Sequence, residues 1–198
     1  MPAEPFSGSY APADVTFLLK PVHHAPTTVA AKERLIQSGR HYSEMIAPET
    51  LPDAGYMALY HRAEQRSRAR LAGDIASLAA NLSMRAGGRD VVIASLARAG
   101  TPIGVLLARQ LRRLGHAAPH YAISIIRDRG IDMTALAHIA ARHDPRDVVF
   151  VDGWTGKGAI AGELRRSLAA RPLASRRCWR SWPTLPARPI SPRRRTII

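Results

Sequence analysis

Asp90-Val-Val-Ile-Ala-Ser-Leu-Ala-Arg-Ala-Gly-Thr101 joins an apolar run of strand length to a short loop that contains glycine. A second stretch, Asp147-Val-Val-Phe-Val-Asp-Gly-Trp-Thr-Gly-Lys-Gly158, repeats this design. The apolar residues are typical of buried parallel strands, and an amphipathic helix pattern follows each loop. Both stretches therefore predict a strand–loop–helix unit whose loop lies at a helix N-terminus.

The same alternation continues around these two units. The pattern predicts strands at 91–96, 120–126 and 147–151, and helices at 29–38, 55–84, 102–114, 133–143 and 157–169. Strands that alternate with helices at this spacing indicate parallel βαβ units. The predicted fold class is α/β, a Rossmann-like parallel sheet with an N-terminal helical region and a disordered C-terminal tail.

Three segments are predicted: an N-terminal extension at 1–26, an α/β domain at 27–170 and a tail at 171–198. The tail supplies eight of the net fourteen positive charges and has no Asp or Glu. One hypothesis is a reading-frame change, which would make the tail foreign to a truncated fold. The other is a disordered basic tail that contacts nucleic acid or an anionic membrane, and no other nucleic-acid contact is expected.

Composition limits the class of protein. A chain of 198 residues with 46% hydrophobic content is typical of a soluble globular domain. No transmembrane stretch or secretory leader is visible, so we expect a cytoplasmic protein without a membrane partner. The single cysteine excludes an internal disulfide, and an oligomer stays open.

The two glycine loops predict anion binding at the carboxyl ends of their strands. Free N–H groups and the helix dipole converge there, and each loop adds a cation, Arg98 in one and Lys157 in the other. Gly100 and Thr101 belong to the first loop. Gly153, Thr155, Gly156, Lys157 and Gly158 form the second. Two such loops suggest a ligand with two phosphate groups.

The loop after the predicted strand 120–126 carries charges of both signs. Arg127 and Arg129 offer guanidiniums for phosphate or carboxylate, while Asp128 and Asp132 offer carboxylates. The alternative is a solvated turn. We expect this loop to face the same crevice as the two glycine loops, because parallel strands end at one edge of the sheet.

Asp152 is the candidate carboxylate of the second loop. It can accept hydrogen bonds from ribose hydroxyls or hold Mg²⁺, and the alternative is a helix N-cap or turn aspartate. Trp154 is either a platform for a base or a packing residue. The spacing of Gly153, Lys157 and Gly158 does not match a Walker A loop, and Ser95 lacks the setting of a hydrolase nucleophile.

Several stretches together support a resemblance to a known family. The segment 148–160 resembles the ribose-phosphate motif of type I phosphoribosyltransferases, and 96–102 resembles their pyrophosphate loop. The runs 6–10, 14–21, 27–41, 124–132 and 151–157 are similar to phosphoribosyltransferase-like proteins of tellurite-resistance and stress-response gene clusters. That family is also labelled StiP cysteine proteases.

The resemblance implies a phosphoribosyltransferase type I-like core that uses Mg²⁺ and phosphoribosyl pyrophosphate or a phosphoribosyl nucleotide. It implies a pentosyltransferase that transfers or removes ribose-5-phosphate in the synthesis of a nucleoside-type metabolite. The implied catalytic residues are Arg98, Asp152 and Arg127, with Asp152 at the metal. The implied ligand-binding residues are Gly100, Thr101, Arg129, Gly153, Thr155, Gly156, Lys157 and Gly158.

Three alternatives remain open at this point. Gly153 stands where the family motif has a second acid, which favours a non-catalytic nucleotide-binding sensor. The second alternative is a regulator that binds RNA through its tail. The third alternative is an inactive, truncated member of the StiP family. Cys178 is interpreted as incidental, so protease activity is not expected of this chain.

Overall fold

The computed structural model describes residues 6–23, 25–153 and 158–169. The strands are β1 (Thr16–Phe17), β2 (Val92–Leu96), β3 (His120–Ile123), β4 (Ile125–Ile126), β5 (Gly130–Ile131) and β6 (Val148–Val151). The α-helices are α1 (Val29–Gln37), α2 (Ala54–Ala86), α3 (Gly100–Arg113), α4 (Met133–Ala140) and α5 (Ala159–Ala169), with 3-10 turns at Tyr42–Glu44 and Pro145–Asp147. The predicted α/β class is confirmed.

The main sheet has four parallel strands in the order β1-β3-β2-β6. All five residues of β2 are buried, and β2 pairs with β3 on one side and β6 on the other. An apolar, β-branched strand in this central position explains why 91–96 is the clearest strand signal in the sequence. The predicted parallel sheet is confirmed.

Helices cover both faces of the sheet, and alternate residues of β2 contact them. Ile93 belongs to a buried cluster that includes Leu107 and Leu111 of α3 together with residues of α2. Val92 and its alternate neighbours belong to a second cluster that includes Leu136 of α4. Strand residues two apart face the same side, so β2 anchors two hydrophobic layers at once.

The first residues also join the sheet. The two residues of β1 pair in parallel with Tyr121 and Ala122 of β3. Next to β1, Val15 is 2% exposed and packs with Ala122 and with Val105 of α3. The segment predicted as an extension therefore provides an edge strand.

Helix α2 is longer than predicted because both of its ends are capped. Asp53 accepts a hydrogen bond from the Tyr56 backbone N–H at 2.7 Å, and Gly87 ends the helix at a φ of 57°. Its buried residues lie in the second half, from Ile75 to Ala86. Within the described ranges, no helix combines the length and apolarity needed to cross a membrane.

The predicted strand 120–126 is wrong in its extent. Strand β3 ends at Ile123, and the carbonyl of Ser124 accepts a hydrogen bond from the Asp132 N–H at 2.9 Å. Between these residues the chain turns back as the antiparallel hairpin β4–β5. Asp128 and Gly130 adopt positive φ angles of 64° and 86°, a backbone geometry that apolar periodicity does not reveal.

A buried polar network joins the edge strand to the sheet and to α3. His120 Nδ1 lies 2.8 Å from the carbonyl oxygen of Asp14, so this nitrogen carries the proton, and Nε2 accepts from Ser95 Oγ at 2.7 Å. The Asp14 carboxylate accepts hydrogen bonds from Arg109 at 2.5 and 2.8 Å. These bonds are the main cause that lowers the pKa of Asp14. Burial lowers the pKa of His120 to about 4.

We expect folding stability to decrease as the pH falls from 6.5 toward 4, because His120 stays neutral in the fold while the unfolded chain binds a proton. The ordinary histidine pKa of 6.5 and the folded-state pKa of about 4 imply that the free energy of unfolding falls by roughly 2–4 kcal/mol across this window. Urea unfolding at pH 7 and pH 4.5 measures it. His120→Gln should be less stable at pH 7 and should lack this pH-dependent loss, and equal losses in both chains would contradict the assignment.

Candidate functional site

The loop after β2 leads directly into the N-terminus of α3. Ala99, which precedes the helix, offers it no side-chain hydrogen bond. Thr101 is 3% exposed, and its hydroxyl has no hydrogen-bond partner among the described residues. The Thr101 N–H donates a hydrogen bond to the Arg98 carbonyl at 3.1 Å, and Pro102 has no N–H, so only the positive end of the helix dipole favours an anion at this turn. Gly100 and Thr101 therefore lie at the positive end of α3, and their predicted role in anion binding stays a prediction.

The two glycine loops touch each other backbone to backbone. A Cβ added at Gly100 would lie 2.3 Å from the carbonyl oxygen of Val151. A Cβ added at Gly153 would lie 2.5 Å from the carbonyl oxygen of Ala99. Neither distance is possible for a real side chain, so both positions require glycine for loop packing as well as for any ligand.

Arg98 and Asp152 flank this contact in different environments. Arg98 is almost fully exposed, and its Nη1 lies 3.6 Å from Oε1 of Glu49, itself exposed. Asp152 is half-buried and makes no side-chain hydrogen bond or ion pair with another described residue. Arg98 is therefore held only by a solvent-exposed ion pair, and the Asp152 carboxylate has no partner among the described residues.

The hairpin β4–β5 presents the two predicted guanidiniums on an exposed tip. Arg129 Nη2 lies 2.5 Å from Oε1 of Glu44, whereas Arg127 is exposed and has no partner in the described part of the chain. Asp132 accepts hydrogen bonds from the backbone of Thr134 and Ala135 at 2.9 and 3.0 Å. Asp132 is therefore the N-cap of α4 and not a free carboxylate.

Helix α5 holds the hairpin through two side chains that the sequence did not single out. Glu163 is 6% exposed and accepts hydrogen bonds from the Asp128 N–H at 3.1 Å and from Arg166 at 2.7 Å. The Arg166 hydrogen bond is the main cause that lowers the pKa of Glu163. Ser167 Oγ accepts from the Ile131 N–H at 3.3 Å. The sequence signal for this contact was Glu163 itself, because an acid on the apolar face of an amphipathic helix needs a hydrogen-bonding partner.

Part of the second glycine loop lies outside the described residues. Trp154, Thr155, Gly156 and Lys157 fall there, so their predicted roles stay predictions. Gly158 is described, is exposed and has a φ of 68° directly before α5. Its carbonyl accepts a hydrogen bond from the N–H of Gly162 at 2.8 Å, which belongs to the first turn of α5.

The predicted Mg²⁺ depends on Asp152 alone in the described chain. Over residues 6–23, 25–153 and 158–169, no group of three or more His, Cys, Asp or Glu side chains is placed to hold a metal ion. Magnesium in proteins commonly combines one or two carboxylates with water and ligand phosphates. The donor set at Asp152 does not by itself form a metal site, and the Mg²⁺ stays a prediction.

Ser95 and His120 lie at the distance of a catalytic pair but are sealed inside the domain. Ser95 is fully buried and His120 is 4% exposed. A Cβ added at Gly104 of α3 would lie 2.4 Å from His120 Nε2, so the helix packs directly on the imidazole. The Asp14 carboxylate pairs with Arg109 instead of the imidazole. A substrate cannot reach this pair, and its role is structural.

Comparison with known proteins identifies similar sequences. The family model described as "Tellurite-like stress resistance cysteine protease StiP" matches residues 8–178. A curated protein named "Cysteine protease StiP", from Acinetobacter baylyi, is 53% identical over 164 residues. That alignment covers 82% of this chain and 43% of the relative, so the chain spans about two fifths of the relative's length.

These matches correct the predicted activity. The pentosyltransferase that acts on phosphoribosyl pyrophosphate is wrong, because both the family model and the curated relative are named for a cysteine protease. The expectation that this chain gives no support to protease activity is wrong for the same reason. Strand–loop–helix units that attract anions occur with many chemistries, so they did not specify a transfer reaction.

We expect Gly100→Ala and Gly153→Ala each to destabilise the domain by about 1–3 kcal/mol, because a methyl group would force the two loops apart. Gly73→Ala is the matched control. Gly73 lies inside α2 with nothing within 4 Å of an added Cβ, so the same change there should stabilise by about 0.5–1 kcal/mol. Urea unfolding measures all three, and loop variants as stable as the parent would contradict the loop contact.

Proposed function

The chain belongs to the tellurite-like stress resistance cysteine protease family StiP, and on this premise we propose that it serves thiol-dependent proteolysis in stress resistance. Within this chain, residues 6–169 act as the unit that binds an anionic group of a substrate or regulator. The family assignment supports the reaction class. The distribution of thiols and guanidiniums along the chain supports the division of roles.

The single observation that carries this division is the position of the thiol. A cysteine protease attacks its substrate with a thiolate that a nearby base activates. The 198 residues contain one cysteine, Cys178, which follows the last described residue of α5. Residues 6–169 therefore contain no cysteine, and we assign them a binding role.

The carboxyl edge of the sheet supports the binding role. Arg98 is exposed there, and the positive end of the α3 dipole lies beside it. Arg127 and Arg129 add exposed guanidiniums on the neighbouring hairpin tip. Guanidiniums recognise carboxylates and phosphates by charge-assisted hydrogen bonds. An acidic peptide segment or a phosphorylated regulator fits this chemistry.

We expect Cys178→Ala to abolish peptide hydrolysis by the 198-residue chain, because no other thiol is present. Release of soluble peptides from casein under reducing conditions measures hydrolysis. Ser95→Ala is the matched control, since Ser95 is buried and should leave hydrolysis at the parent level in a folded variant.

Two outcomes would contradict the proposal. Hydrolysis that persists in Cys178→Ala would show that the reaction does not use a thiol of this chain. Absence of hydrolysis by the parent would remove the assigned reaction from this chain. Inorganic pyrophosphate, titrated in a calorimeter, tests the binding role separately, and we expect Cys178→Ala to bind it as tightly as the parent does.

A further inference from the structure

A short acidic segment lies against two loops of the candidate site. We call residues 42–49 the acidic strap. Its Glu44 accepts a hydrogen bond from Arg129 Nη2 at 2.5 Å, and its Glu49 lies 3.6 Å from Arg98 Nη1. Arg98 follows β2 and Arg129 belongs to the hairpin after β3. One segment therefore covers an arginine on each of two adjacent loops.

The two contacts of the acidic strap differ in strength. Glu44 also accepts a hydrogen bond from Arg40 Nε at 3.4 Å, and the Arg129 hydrogen bond is the main cause that lowers its pKa. Glu44 is therefore charged at neutral pH. Glu49 and Arg98 have side chains 86% and 93% exposed, so water screens their attraction. Glu44 is the firm contact and Glu49 is the loose one.

The acidic strap is fixed near Glu44 and open beyond it. Met45 is 6% exposed, and the Thr27 N–H donates a hydrogen bond to the Ile46 carbonyl at 2.7 Å. By contrast, the Ile46 side chain is 54% exposed, and Leu51, just after the strap, is 95% exposed. A segment held at one point by a buried side chain and elsewhere by exposed ion pairs opens at low cost.

We propose that the acidic strap is a built-in competitor for the anion-binding site, with Glu44 and Glu49 holding Arg129 and Arg98 until an anionic ligand displaces them. This inference rests on the proposed binding role of residues 6–169. Two carboxylates that hold arginines of two loops match a ligand that carries at least two negative charges. A ligand with one charge replaces one contact only and leaves the strap in place.

The test is calorimetric titration of the 198-residue chain with inorganic pyrophosphate. The double variant Glu44→Gln plus Glu49→Gln removes the competing charges and keeps side chains of similar shape. We expect it to bind pyrophosphate about fivefold to tenfold more tightly than the parent, which corresponds to the loss of two exposed ion pairs.

The double variant Glu64→Gln plus Asp74→Asn is the matched control. It also removes two acids, each paired with an arginine four residues away along α2, at 2.6 Å to Arg68 and 3.9 Å to Arg70. The change in net charge is the same, but neither residue contacts a site loop. We expect its affinity for pyrophosphate to stay within about twofold of the parent, since exposed ion pairs are screened.

Hydrogen exchange supplies a second readout on the parent chain. Pyrophosphate should increase amide exchange in residues 42–49 as the strap is released. If the parent binds pyrophosphate but the strap variant matches the control and exchange in 42–49 is unchanged, the competitor is overturned and the binding role stands. If neither the parent nor the strap variant binds pyrophosphate, the binding role itself fails, and the inference falls with it.

Discussion

The backbone contact between the loops after β2 and β6 constrains the whole carboxyl edge of the sheet. Ser95 of β2 is in register with Val151 of β6, so the two strands end side by side. Gly100 then lies against the Val151 carbonyl and Gly153 against the Ala99 carbonyl, with no space for a side chain. The start of α3 is therefore fixed beside β6, at the edge where ligands bind in open α/β sheets.

The remaining parts of the edge are attached by side chains. Glu163 and Ser167 of α5 bind the backbone of the β4–β5 hairpin, and the hairpin's Arg129 binds Glu44 of the acidic strap. A packed helix thus fixes the position of the hairpin, and the hairpin in turn fixes the position of an exposed segment. Each step replaces buried contacts by more exposed ones, so rigidity decreases outward from the sheet. In the proposed competition, this gradient would place the displaceable strap over the cations and keep the loops beneath it fixed.

The sequence predicted the parts of the fold that depend on local pattern. Strands β2 and β6 and the helix after β2 follow from apolar runs and glycine loops, and they form within two residues of the predicted bounds. The hairpin did not follow, because the positive φ of Asp128 leaves no mark on hydrophobic periodicity. The pairing of Glu44 with Arg129 was also hidden, since 85 residues separate them. Contacts of that kind depend on how the elements pack, and one chain carries no signal for them.

The reaction was mispredicted because binding and bond cleavage place different demands on a protein. Anion recognition needs positive charge at a fixed edge, and the guanidiniums of Arg98, Arg127 and Arg129 would suit anions of many kinds. Thiol attack needs a sulfur and an accessible base, whereas His120 and Ser95 are committed to packing beneath α3. His116 is committed as well, with both ring nitrogens within 3.1 Å of Ser83 or the Arg89 carbonyl. A base for the proposed nucleophile Cys178 must therefore be sought outside these packed pairs, and the proposed anion-binding edge is compatible with different chemistry beside it.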